Sequence, residues 1–427
     1  MSYAEFLARK TRRHNGTGIV VQPTDLHPSL HPWQNWIVRT ALARGRCAVF
    51  ADTGLGKTRM QIEWARLAAP RALILAPLSV ARQTVREAVK IGADVRYVRR
   101  PEQVVPGSVS ITNYELAHWF DPAEFDAVAL DESSILKNFT GTTRTALIAQ
   151  WAQTPFRSSW SATPAPNDVT ELTNQAEFLG VMPRNEMLAA YFVHDDEGWR
   201  LKGHAANPMF KWMATWAIAA RRPSDVGGDD SPYHLPPLNI HSVTVEVDIE
   251  QDGQLFATDL GGVGGRSKVR RATLDARVAA AVDLVSRPGQ WIVWCGLNDE
   301  AEAVVKATTG AVNVTGNMTP DEKADAFEAF QDGDIRVLVT KPSIAGMGMN
   351  FQNCHRMVFV GLSDSWESYY QAVRRCWRFG QEHPVDTYVV VSELEQQIVD
   401  NVRRKETEVA GWVDRLVRHM NNKEAAA

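Results

Sequence analysis

The chain has 427 residues, 44% of them hydrophobic and 22% charged, with a formal net charge of −4 at pH 7. That length predicts two or three domains, and the apolar share is ample to bury their cores in a soluble, globular protein. A mildly acidic balance excludes attraction of nucleic acid by overall charge, so any such partner must be met by local basic patches.

The four cysteines, Cys47, Cys295, Cys354 and Cys376, lie far apart without paired metal-ligand spacing, which argues against a zinc site or a disulfide scaffold. A reducing cytoplasm, that of a bacterium or an infected bacterial host cell, is the expected compartment. No signal-type N-terminal segment or membrane-length apolar stretch is read, so no membrane partner is expected, and the free state is expected to be a monomer. Basic runs occur as RKTRRH at 9–14, RSKVRR at 266–271, RRCWR at 374–378 and RRK at 403–405. They suit either duplex phosphates or solvated helix faces.

In chain order, residues 1–27 form a basic N-terminal arm. Short apolar runs then alternate with helical spacing: CAVF at 47–50, the helix TRMQIEWARLAA, RALILAPLSV at 71–80, the helix ARQTVREAVKIG, GSVSITNYELA at 107–117, FDAVALDES at 125–133 and RSSWSATP at 157–164. Strands bounded by helices predict a parallel sheet covered on both faces, with ligands at the carboxyl ends of its strands. Within this first α/β lobe, 28–250, residues 176–250 are less regular. They hold a hairpin in YFVHDDEGWRLKG, a Trp-rich apolar helix around Trp212 and Trp216, and the loop RRPSDVGGDDSPYHLPP. A glycine-rich linker over 251–271 precedes a second α/β lobe over 272–410, and a C-terminal helix and tail occupy 411–427. The second lobe has strands expected in QWIVWCG, AVNVTG, IRVLVTK, HRMVFVG and DTYVVVSE, separated by helices.

The motif ADTGLGKT at 51–58 has the lysine and threonine of a phosphate loop but Ala51 where the usual pattern has glycine. Gly54 and Gly56 let the backbone curl round phosphates; Lys57 neutralises the β and γ oxygens, and the Thr58 hydroxyl can complete magnesium coordination. Thr53 and Leu55 complete the loop. Asp131 and Glu132 end the apolar strand AVAL. Asp131 can hold Mg2+ through water and Glu132 can orient or deprotonate the attacking water; the plain alternative is a helix start capped by Ser133 or Ser134. Ser161 and Thr163 follow another strand and can either sense the γ-phosphate or merely cap. Arg375 and Arg378, spaced by three, are expected on one helix face, either stabilising a transferred phosphoryl group, or forming a surface cation pair, or packing over Trp377.

Together these motifs resemble the superfamily 2 helicase-like ATPases, specifically the Swi/Snf-like DNA translocases and most closely their compact bacterial and bacteriophage members. LHPWQ at 30–34 resembles the adenine-recognising motif, with Gln34 reading the base, and ADTGLGKT resembles motif I, where Ala51 is normal. LILAPLSV and ITNYELA resemble the strand-contacting motifs Ia and Ib, which implies nucleic-acid contacts at Pro77, Ser79, Thr112 and Tyr114. LDESSILKN resembles motif II, with Lys137 and Asn138 following; SATPAPNDVTEL resembles motif III, with Asn167, Glu171 and Leu172. WIVWCG resembles motif IV. VTKPSIAGMGMNFQ resembles motif V through Gly346, Gly348 and Asn350, which implies nucleotide contacts at the glycines and nucleic-acid contacts at Lys341 and Asn350. QAVRRCWRFGQ resembles motif VI through Gln371, Arg375, Arg378, Gly380 and Gln381, with Gln371 a coupling residue. SELEQQIVDNVRRK at 392–405 resembles the helix that closes these engines.

The resemblance spans about 28–410 and implies two tandem RecA-like lobes with the ATP site at their interface, using ATP and Mg2+ and tracking duplex DNA through its backbone, with a partner protein left unspecified. The chain departs from the pattern at Ser133 and Ser134, where motif II usually reads Ala-His, and at Trp377, which replaces a usual histidine. Neither change removes an expected magnesium ligand or arginine, so hydrolysis is expected to persist while its coupling to movement changes. A strand-separating helicase needs a pin, for which the hairpin at 191–203 is a candidate. A nonhydrolytic clamp or structural subunit, and a nuclease built on the acids at 194–197, are the other readings.

Overall fold

The computed structural model describes residues 16–138, 141–196, 198–246, 272–345, 349–362, 365–392 and 396–424. The chain divides into two compact units, Met1–Tyr233 together with Thr407–Ala427, and His234–Glu406. The glycine-rich 251–271 segment lies outside the described residues.

The first unit runs α1 (Pro32–Arg44), β1 (Arg46–Ala51), α2 (Lys57–Ala68), β2 (Ala72–Ala76), α3 (Leu78–Lys90), β3 (Val95–Tyr97), β4 (Val109–Asn113), β5 (Ala127–Asp131), α4 (Thr142–Gln150), β6 (Phe156–Trp160), α5 (Leu172–Phe178), α6 (Arg184–Tyr191), β7 (Phe192–Asp195), β8 (Gly198–Leu201), α7 (Ala206–Met213) and β9 (Ala217–Ala220). Seven strands pair in the order β3-β4-β2-β5-β6-β1-β9, all parallel. Every residue of β2, β4 and β5 is buried. Such continuous burial follows when helices cover both faces of a parallel sheet, and it explains why these strands read as unbroken apolar or small-residue runs instead of alternating ones. β7 and β8 pair antiparallel as the expected hairpin.

β9 corrects the sequence reading. The Trp-rich helix stops at Met213, and Ala217–Ala220 pairs with β1 from Ala48↔Ala217 to Ala51↔Ala220. The run Ala-Ile-Ala-Ala carries no periodicity that separates helix from strand, so the neighbouring strand decides its conformation. Its edge is met by the C-terminal part of a long helix: the Ala219 N–H donates to Met420 Sδ at 3.2 Å, Trp412 stands edge-on to Phe50 at 6.4 Å, and Arg221 pairs with Asp414. Covering an edge strand in this way removes a template for unwanted pairing.

The second unit holds β10 (Leu238–Val245), α8 (Leu274–Val285), β11 (Trp291–Cys295), α9 (Asn298–Ala307), β12 (Ala311–Asn313), α10 (Pro320–Asp332), β13 (Val337–Thr340), α11 (Pro342–Ala345), β14 (Arg356–Val360), α12 (Trp366–Cys376) and β15 (Val385–Ser392); α13 (Gln396–Glu424) begins here and belongs to the first unit from Thr407 on. Six parallel strands are ordered β10-β15-β14-β11-β13-β12. β10, which the sequence reading left in the first lobe, pairs with β15 over its whole length. Arg277 and Glu300 form an ion pair, both side chains fully buried, at 2.7 Å. Glu300 also accepts from the Gly296 and Leu297 N–H groups, and Arg277 donates to the Val360 carbonyl, so the pair ties together the carboxyl ends of β11 and β14. Removal of one partner from a buried pair costs about 3–5 kcal/mol, so these contacts fix the strand ends tightly.

Candidate nucleotide site

The loop between β1 and α2 curls where glycine is required. Gly54 and Gly56 have φ of 85° and 76°, and a Cβ on Gly56 would lie 2.4 Å from Gln34 Nε2. Leu55 is buried and anchors the loop, while its carbonyl accepts from Gln34 Nε2 at 2.9 Å. Gln34 Oε1 accepts from the His31 N–H at 3.0 Å. These two bonds orient the amide and leave one N–H and one oxygen lone pair, the complement of the N7 and N6 edge of adenine and a poorer match to guanine. Thr53 donates its N–H and its hydroxyl to Asp52 Oδ1, and Lys57 Nζ donates to the Ala51 and Asp52 carbonyls at 2.9 and 3.2 Å. Lys57 therefore reaches back across the loop, and Thr58 sits beside it in the first turn of α2.

Asp131 and Glu132 lie at the carboxyl end of β5. Glu132 has φ 50°, and among the described residues no other non-glycine residue has a positive φ. A bulky residue held in the left-handed region is strained, and such strain concentrates at functional positions. Glu132 caps the short 3-10 turn Ser133–Lys137 with its backbone, so neither Ser133 nor Ser134 is the cap. Glu132 Oε2 is buried without a hydrogen-bond partner. A buried acceptor left so is costly unless a ligand or water uses it, which fits a carboxylate that handles an attacking water. Burial, then the charge of Glu132, pushes the Asp131 carboxyl up to about 7, and nearby Lys57 pulls it back down. Lys57 and the acid pair thus share one electrostatic neighbourhood, where a divalent cation would favour the ionised carboxyl.

Tyr114 was expected at a nucleic-acid surface. It is buried instead, and its hydroxyl donates to the Asp131 carbonyl at 2.6 Å, supporting the acidic turn from below. Thr112 is fully buried within β4 and equally unavailable at a surface. Pro77 precedes α3, whose first turn contains Ser79. Ser161 and Thr163 are both buried, and Ser161 Oγ accepts from the Thr163 N–H at 3.0 Å, a local turn bond.

In the second unit α12 ends at Cys376, so Arg375 is helical and Arg378 lies beyond the Trp377 cap. The expected shared helix face does not exist. The pair is brought together by a different device: both guanidinium groups donate to the Met349 carbonyl, at 3.2 and 3.3 Å. Arg374 stacks over Trp377, at 4.3 Å, and the Trp377 indole donates to Pro236 O. Gln381 Nε2 bonds the carbonyls of Gln352, Cys354 and Cys376, binding the 349–354 segment to the end of α12. Gln371 is buried and donates to Glu367 at 3.4 Å. Asn350 Oδ1 accepts from the Gln352 N–H. Lys341, with Gly296, Ser343, Ser368 and Tyr369, borders a cleft of about 170 Å³. Gly346 and Gly348 lie outside the described residues.

Residues 276–380 match the family model described as the helicase conserved C-terminal domain. The chain is 23% identical over 431 aligned positions to the DNA annealing helicase and endonuclease ZRANB3 of Mus musculus, covering 87% of this chain and 39% of that protein. It is 28% identical over 108 residues to the DNA repair protein rad8 of Schizosaccharomyces pombe, covering 25% of this chain and 10% of that one. The chain thus spans well under half the length of these curated relatives. Among solved structures it is similar to the Sulfolobus solfataricus SWI2/SNF2 ATPase core in complex with dsDNA, at 15% identity and a TM-score of 0.45, covering 90% of this chain and 92% of that one. The family model thus matches a stretch of the second unit, and the alignment with the mouse protein extends over most of the chain.

Proposed function

We propose that the protein is an ATP-hydrolysing motor that tracks along duplex DNA through backbone contacts. One observation carries the reading: the Lys57 loop and the strained Asp131-Glu132 turn converge on one pocket of charge at the carboxyl edge of the first sheet. Lys57 exchanges its own loop carbonyls for phosphate oxygens, Gln34 reads the adenine edge, and Glu132 takes the proton of the attacking water. Thr58 and Asp131 are the residues that would hold Mg2+, which would supply positive charge to offset that of the phosphates. Arg375 and Arg378 are assigned to the charge that develops on the transferred phosphoryl group. Four buried cysteines outside any disulfide suit a reducing compartment, proposed as the cytoplasm of a bacterium or infected host cell, and no described helix is long and apolar enough to cross a membrane.

The β7–β8 hairpin, with Trp199 38% exposed near its turn, favours strand separation as a second reading. Steady-state ATP turnover with duplex DNA, single-stranded DNA and RNA tests the proposal. Duplex DNA is expected to stimulate most, with stimulation falling steeply with salt, and Lys57→Ala is expected to abolish turnover in a folded protein. Equal turnover in that variant, or stimulation by RNA alone, would reject the reading.

A further inference from the structure

Three aromatic rings meet beside the end of the loop that Gln34 touches. His31 and Trp33 open α1, and Tyr233 returns to them from more than two hundred residues later: its ring is edge-on to His31 at 5.8 Å and to Trp33 at 5.6 Å, while His31 and Trp33 stack at 6.3 Å. Trp33 is buried, His31 is exposed and Tyr233 is half-buried, so Tyr233 and His31 keep surface toward solvent. The segment that carries Tyr233 is held firmly. Asp225 accepts from the Arg221 and Arg222 N–H groups, and Asp230 accepts from the Ser224 N–H and hydroxyl. Gly228 presses on Trp33, where a Cβ would sit 2.8 Å from the indole. The Arg59 guanidinium, in the first turn of the helix that begins with Lys57, lies within electrostatic range of the Tyr233 hydroxyl.

We infer that Tyr233, clamped over the start of α1 by the Arg222–Tyr233 loop, is the stacking wall for the nucleotide base. This rests on the nucleotide-site reading above. Phosphates at Lys57 and Thr58 leave the nucleoside to extend toward the Gln34 end of the loop, where these rings stand. Stacking has little base preference because every base has a π-face, whereas the remaining Gln34 donor and acceptor discriminate by edge. Tyr233 therefore supplies affinity for a base, and Gln34 supplies its identity. A ring that merely covered Trp33 would show no such division.

Calorimetric titration with ATP, GTP and tripolyphosphate separates these roles, because tripolyphosphate has no base. Tyr233→Ala is expected to weaken ATP and GTP by the same factor, about tenfold or more, while tripolyphosphate affinity is retained; Tyr233→Phe is expected to restore both nucleotides. Unchanged ATP affinity in Tyr233→Ala would overturn the inference, as would an equal loss for tripolyphosphate, which marks general disruption of the loop. Failure of the wild-type protein to bind ATP would remove the nucleotide-site reading itself and this inference with it.

Discussion

Glu132 is the residue at which backbone and chemistry conflict most openly. Its positive φ and its partnerless buried oxygen are both unfavourable for folding, so a less demanding side chain there should sacrifice chemistry before structure. Glu132→Gln is expected to keep nucleotide binding and slow single-turnover hydrolysis by about 10² to 10⁴, since an amide cannot act as a base; an unchanged rate would remove Glu132 from its role. Asp131 adds a pH dependence. Its carboxyl, raised to about 7 by burial and by Glu132, holds a proton in the folded protein that the unfolded chain gives up near pH 4. Its contribution to stability without nucleotide therefore falls as pH rises from about 4 to 7. Mg2+ favours the ionised form, so MgATP binding at pH 7 is expected to release about half a proton, read by calorimetry in buffers of different ionisation enthalpy, and Asp131→Asn is expected to abolish that release. Identical heats in all buffers would contradict this. The positions of the loop lysine and the acid pair, after β1 and at the end of β5, were legible because glycine-rich loops and paired acids after apolar runs mark strand ends. Tyr114 was not, because a hydroxyl bonded to a backbone carbonyl leaves no pattern in sequence.

Among the elements, legibility followed burial. β2, β5, β11 and β14 could be read because parallel strands covered on both faces need unbroken apolar runs. β9 was missed because Ala-Ile-Ala-Ala suits either geometry, and β10 was placed in the wrong lobe because pairing with β15 across the intervening sequence has no local signal. The end of α12 was missed for a related reason: nothing between Arg375 and Arg378 forces a stop, yet Trp377 leaves the helix with its indole bonded to Pro236. The arginines still converge, through Met349 O. If they serve the transferred phosphoryl group, Arg378→Ala is expected to cut ATP turnover strongly while leaving nucleotide-free DNA affinity nearly intact. Preserved hydrolysis with weakened DNA binding would assign Arg378 to a phosphate backbone instead.

At the scale of the whole molecule, two parallel-sheet units each gather charged and polar side chains at the carboxyl ends of their strands: Lys57 and the acids in one, Lys341 and the Ser343 cleft in the other. A mildly acidic protein of this build engages a polyanion only through local basic surface, so its binding should be strongly salt-dependent and indifferent to base sequence. Hydrolysis alone does not distinguish a motor from a DNA-stimulated ATPase that stays in place. Displacement of the third strand from a DNA triplex does, because only travel along the duplex removes it. The expected result is ATP-dependent release of the third strand with the underlying duplex left paired, lost in Lys57→Ala. ATP hydrolysis without release, or separation of the duplex itself, would contradict a duplex-tracking motor.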